Sequence, residues 1–146
     1  IGYNKSIFIG LKENIDEEDE EDEEEIKETI GNPNSANYEF YINPKISYSS
    51  KKSIQDGEEG CLSIPDVRII AERYDKIKVK YYNYNGLKIQ KPLSGFISRL
   101  FQHELDHLNG ILMVENHKIK SVYRISENEN IDLLYPTLVK QILQNQ

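Results

Sequence analysis

At Ser94 the hydrophobic pattern of this 146-residue chain changes period, and the change limits what each part can fold into. Before it, apolar and polar residues tend to alternate, as they do on a pleated sheet with one face buried. After it, Phe96, Ile97, Leu100, Phe101 and Leu108 recur at the spacing of helix faces. Ser94 is a candidate N-cap, and Gly110 stops the pattern where a residue free to take positive φ is favoured.

The stretch before Ser94 reads as strands at residues 6 to 10, 38 to 43, 45 to 50 and 67 to 71, with Pro44 breaking the second from the third because it cannot donate to a ladder. Residues 77 to 82 and 87 to 91 alternate around Asn83-Tyr84-Asn85-Gly86, the signature of a β-hairpin. A second helix is expected from Pro136, with Leu138, Val139, Ile142 and Leu143 on one face. The fold class is α+β: antiparallel strands packed around a central helix, with a C-terminal helix. The length suits one domain over residues 1 to 146.

Asp16 to Glu25 is an unbroken run of ten acidic residues, and it accounts for the net charge of -7. Without it, eighteen basic residues face fifteen acids, a balance of +3 that does not point to nucleic acid. Ten adjacent like charges bury nothing, so residues 12 to 36 are expected to be a disordered insertion in the domain. No stretch approaches the roughly 20 apolar residues of a membrane helix, so a soluble protein without a membrane partner is expected. A single cysteine, Cys61, excludes an intrachain disulfide and a four-cysteine zinc site. The chain opens on Ile1, so a leader segment is not readable from it.

Gln102-His103-Glu104-Leu105-Asp106-His107 contains H-E-x-x-H within the expected helix. Four residues are about one turn, so both imidazoles project from one face, the face of Phe96 and Leu100. Glu104 is rotated about 100° from His103, where it can serve as a base without taking a coordination position. Two of the three histidines in the chain fall in this register, which favours a metal site over solvated side chains; His117 lies outside it and reads as surface.

A catalytic site of this type needs three protein ligands and one open position. The longer protease pattern fails because Met113 stands where its last histidine belongs, while Glu127 or Glu129 remains available as a zincin-type third ligand. The other source is Glu59-Gly60-Cys61-Leu62-Ser63-Ile64-Pro65, where Gly60 and Pro65 mark irregular backbone at a strand edge. Cys61 alone would more often be a small core residue; beside two histidines, its thiolate would complete a sulfur-plus-two-imidazole site suited to zinc, nickel or cobalt. A non-enzymatic interaction domain, its acidic run binding a basic partner, is a further rival.

The pair E-G-C-L-S at 59 to 63 and Q-H-E-x-D-H-L-x-G at 102 to 110, with 41 residues between Cys61 and His103, resembles peptide deformylase. The likeness runs from about residue 38 to Gly110 and includes Asn43-Pro44 and the hairpin. That family opens with a G-x-G-x-A-A-x-Q motif, and Ile1-Gly2 followed by Ser6 to Gly10 resembles its sequel, so the family's glutamine donor is expected upstream of Ile1.

The resemblance implies a hydrolase of protein biosynthesis that removes the formyl group from N-formyl-methionine on nascent peptides, near the ribosome, as a monomer or a dimer. It implies Cys61, His103 and His107 as ligands to one divalent metal, ferrous iron in the family, with Glu104 as general acid/base and the Leu62 backbone N–H as oxyanion donor. It also implies a substrate side chain held near Gly60, Phe96 and Leu100, with Arg68 on the peptide backbone. Arg99 stands where the family commonly has an aliphatic residue. Formyl-methionine belongs to bacteria and their descendant organelles. With few alanines, many Ile, Lys, Asn and Tyr residues and the acidic insert, the expected source is the apicoplast, a plastid, of an apicomplexan parasite, and otherwise a bacterial cytoplasm.

Overall fold

A computed structural model of the chain describes residues 6–12, 37–115, 118–125 and 131–134. The acidic run Asp16 to Glu25 with the rest of the expected insertion from residue 13 to 36, His117, Glu127, Glu129 and the helix expected from Pro136 lie outside the described residues. The described chain runs β1 (Ile7–Leu11), β2 (Tyr38–Ser49), β3 (Ile54–Cys61), β4 (Ile64–Tyr74), β5 (Lys76–Tyr82), β6 (Lys88–Ser94), α1 (Gly95–Leu108), a 3₁₀ turn (Met113–Glu115), β7 (Ile119–Ile125) and β8 (Ile131–Leu134). The strands form two four-stranded sheets, ordered β1-β2-β5-β6 and β3-β4-β7-β8. Every pairing is antiparallel.

β5 shows why these segments become strands: Ile77, Val79 and Tyr81 are buried while the residues between them are exposed. These three join Phe8, Tyr41, Leu93 and two residues of α1, Ile97 and Phe101, in one apolar cluster. Phe101 meets Phe8 and Tyr41 edge to face, with ring centroids 5.3 Å apart in both pairs. A second cluster, Ile64, Val67, Ile69, Ala71, Met113, Val114 and Val122, fills the other sheet. The helix packs its apolar face on the first sheet and reaches the second through polar side chains. Ser98 Oγ donates to Tyr74 O (2.8 Å), and the Gln102 amide both accepts from Tyr74 N (3.1 Å) and donates to Tyr74 O (2.8 Å).

Three expectations need correction. Pro44 does not divide two strands: β2 runs through it, with a register shift between Ile42 and Lys45 and Asn43 at φ 50° absorbing the misfit. Ser94 occupies the N-cap position but its side chain makes no capping bond; it is still paired to Lys76 in the sheet, and the N–H of Gly95 goes to Asp75 instead. β3 and β7 are strands that apolar alternation did not reveal. The inward positions of β3 are Gln55, Gly57, Glu59 and Cys61, a polar row that gives no hydrophobic signal. Gly110 does end the helical segment, at φ 74°, with the N–H of Ile111 closing back on Asp106 O at 2.9 Å. No helix among the described residues is long and apolar enough to cross a membrane.

Candidate metal centre

Cys61 closes β3 and is paired with Ile64 across the two-residue turn of Leu62 and Ser63, so its side chain is held at the mouth of a hairpin. His103 and His107 lie on α1 one turn apart, with ring centroids separated by 4.7 Å and planes at 89°. Cys61 Sγ is 3.1 Å from His107 Nε2, which is itself 3.1 Å from His103 Nε2. All three donor atoms fall within 4.8 Å of one another. A tetrahedral ion with bonds of about 2.0 Å to nitrogen and 2.3 Å to sulfur has edges of roughly 3.3–3.6 Å, and the two 3.1 Å separations, both made by His107 Nε2, are close to such edges. A thiolate with two imidazoles suits a borderline-soft divalent metal.

Around this group lies a buried charge network. Glu59 shares the inward face of β3 with Cys61, two residues away. Its Oε2 stands 3.1 Å from His103 Nδ1, which fixes the ring so that Nε2 faces Cys61 and His107. The same carboxylate takes both Nε and Nη2 of Arg73 at 2.9 Å, and Nη1 of Arg99 at 2.7 Å. Arg73 Nη1 reaches on to Asp106 Oδ2 at 2.5 Å. Among the described residues no buried side-chain nitrogen or oxygen lacks a partner.

Burial pushes the Glu59 carboxyl up, but hydrogen bonds from Arg73 and His103 and their charges bring it down to about 2, so it is ionised. Burial lowers the His103 imidazole, and bonds to Glu59 and Cys61, with the charges of Glu59 and Glu104, outweigh it and raise it. Burial raises the Cys61 thiol, while the Ser63 backbone N–H, His103 and the Ser63 hydroxyl hold it below its ordinary value, toward the thiolate that binds metal.

Of the residues singled out in the sequence, Cys61, His103 and His107 converge. Glu104 follows His103 on α1, is half-buried, and has no hydrogen bond or ion pair among the described residues. Leu62 is fully exposed in the turn. Arg68 pairs across the sheet with Gly60 and lies over it, since a Cβ at 60 would stand 2.7 Å from Nη1. Phe96 is 62% exposed at the start of α1 and Leu100 is half-buried; neither belongs to the two core clusters. Arg99 is buried in the network at 5% exposure, bonded to Glu59 and to main-chain carbonyls. The residues that sequence reasoning did not assign are Glu59, Arg73 and Asp106; the signal available for Glu59 was its place two residues before Cys61 in the E-G-C-L-S stretch.

Among the described residues, two antiparallel sheets with one α-helix, and a cysteine facing two helical imidazoles, define a protein built around a candidate divalent-metal site. Comparison with known proteins makes this specific: the chain belongs to the polypeptide deformylase family, whose sequence model matches residues 1–122. A peptide deformylase of Thermotoga neapolitana is 43% identical over 77 residues, covering 53% of this chain and 46% of that protein. The crystal structure of the Thermotoga maritima enzyme is similar with a TM-score of 0.52 at 42% identity, over 53% of this chain and 52% of that one. A Plasmodium falciparum peptide deformylase in complex with an inhibitor has a TM-score of 0.52 at 41% identity, over 56% of this chain and 51% of that one. The chain spans about half the length of the curated relatives it matches.

Proposed function

We propose that this chain carries the catalytic centre of a metal-dependent hydrolase that takes the N-formyl group from N-formyl-methionine at the start of nascent peptides, releasing formate. One observation carries the reading: in a chain of this family, one ligand atom each of Cys61, His103 and His107 meet within 4.8 Å. Those three residues would hold one divalent ion, iron by resemblance, with zinc, nickel or cobalt able to substitute. When bound, the ion supplies Lewis-acid chemistry, acidifying water and polarising a carbonyl.

The protein groups do the rest. Glu104, which makes no hydrogen bond or ion pair among the described residues, takes a proton from the attacking water and later gives it to the leaving amine of methionine. The Leu62 N–H donates to the oxygen on which negative charge develops, a contribution of about 2.7–4 kcal/mol where such donors have been removed. Glu59 keeps His103 oriented while the site works. Gly60, Arg68, Phe96 and Leu100 bind the substrate, the last two on the stripe of α1 that carries the histidines. The chain acts as one domain, and its richness in Ile, Lys, Asn and Tyr together with the acidic insert supports placement in a plastid, or otherwise in a bacterial cytoplasm.

The test is formate release from a formyl-methionyl peptide by the metal-loaded chain and by a form extended upstream, with and without a chelator. Chelator-sensitive release by either form supports the proposal. No release by both, with metal shown to be bound, overturns it.

A further inference from the structure

Arg99 lies one turn before His103 on α1 and is buried. Its guanidinium donates to Gln55 O at 3.0 Å, Gly57 O at 3.2 Å, Ala71 O at 3.1 Å and Glu59 Oε1 at 2.7 Å. Three of these four acceptors belong to β3, the strand that ends in Cys61. The fit is close: a Cβ at residue 57 would stand 2.9 Å from Cζ and Nε of Arg99, so the guanidinium occupies space that only a glycine leaves open.

Neutralising Glu59 does not by itself require Arg99. Arg73 already grips that carboxylate with two nitrogens at 2.9 Å. What Arg99 adds is a tie from the histidine-bearing helix to the main chain of the cysteine-bearing strand. A planar fork with several fixed N–H groups suits that task, whereas an ammonium on a flexible stem does not. The apolar packing of α1 is directed at the other sheet, so the distance between α1 and β3 is set by polar contacts such as this one.

We propose that Arg99 is a positioning residue of the metal centre: by clamping β3 to α1 it holds the Cys61 sulfur at the distance from the two imidazoles that one ion needs. The proposal rests on the metal-site reading above. It is one of preorganisation: ligands on two separate elements bind an ion well only if the elements are already in register, and residues that orient ligands typically contribute 10–100-fold in metal affinity.

Cobalt(II) is the probe, titrated into the wild-type chain and the variants Arg99→Met, Arg99→Lys and Gly57→Ala, with circular dichroism and a thermal melt establishing that each is folded. The wild type takes up one ion with a thiolate-to-cobalt charge-transfer band. Arg99→Met and Gly57→Ala, read well below their melting points, bind ten- to a hundred-fold more weakly with the band reduced, and Arg99→Lys falls between them and the wild type. If Arg99→Met does not fold, Gly57→Ala and Arg99→Lys decide on the same criterion. Folded variants with wild-type affinity and spectrum would show Arg99 to be structural only and overturn the proposal. A wild type that binds cobalt without the sulfur band would instead refute the donor set itself.

Discussion

The Nδ1 of His103 stands 3.1 Å from Oε2 of Glu59, a carboxylate that two guanidinium groups also hold. This places an ionised side chain, only 3% exposed, directly behind a candidate metal ligand. Removing that carboxylate leaves Arg73 and Arg99 sharing a buried space with one acid fewer. Glu59→Ala is therefore expected to lower unfolding stability by about 3–5 kcal/mol, the cost of breaking a buried ion pair from one side. Urea unfolding of the metal-free chain measures it; a loss under about 1 kcal/mol, typical of an exposed pair, would contradict the network as described.

Glu104→Gln separates binding from chemistry. The residue takes no part in the donor group, so metal content is expected to stay at the wild-type level. Turnover of a formyl-methionyl peptide is expected to fall about 10²–10⁴-fold, the usual contribution of a positioned acid/base. Metal loss in this variant would instead identify the carboxylate as a ligand.

Phe101 lies on the side of α1 that meets the first sheet, edge to face with Phe8 and Tyr41 and 2% exposed. Truncation to alanine removes a large buried ring and is expected to cost about 3–5 kcal/mol, seen as a lower denaturation midpoint with unchanged slope. Because this face points away from Cys61, the folded fraction should retain the metal affinity of the wild type.

Gly60→Ala probes the lip of the site. An added Cβ would come within 2.7–2.9 Å of the Arg68 guanidinium, the mobile end of a long side chain, so Arg68 would swing aside and the fold would stand. If Arg68 contacts the peptide backbone, KM rises with kcat little changed, the mark of lost uniform binding. Unchanged KM would remove Arg68 from the substrate site.

The helix, the β5–β6 hairpin and the histidine pair were legible in the sequence because each is a local pattern: a 3.6-residue period, an Asn-Gly turn between alternating runs, and histidines one turn apart around a glutamate; Cys61 entered as a ligand through the family resemblance, since the residues alone left Glu127 and Glu129 open. β3 was not legible because its inward face is Gln55, Gly57, Glu59 and Cys61, and hydrophobic periodicity cannot register a polar interior. Its unusual composition follows from its task of facing the charge network. The network was hidden for a related reason: Glu59 meets Arg73 and Arg99 at sequence separations of 14 and 40, and only the paired strands and the helix crossing bring them together. Arg99 stood out only as a charge where the resemblance implied an aliphatic residue, because its helical position alone does not reveal the gap that Gly57 leaves beside it. Pro44 misled in the opposite direction, since a bulge at Asn43 lets one strand continue through it.

The central claim is that one sulfur and two ring nitrogens share a single ion. X-ray absorption at the metal edge, on zinc-loaded protein and on Cys61→Ser, tests it most directly. The account predicts one zinc per chain with one sulfur scatterer at about 2.3 Å and two imidazole nitrogens at about 2.0 Å, the sulfur vanishing in Cys61→Ser. A wild-type spectrum with only nitrogen and oxygen neighbours would contradict it.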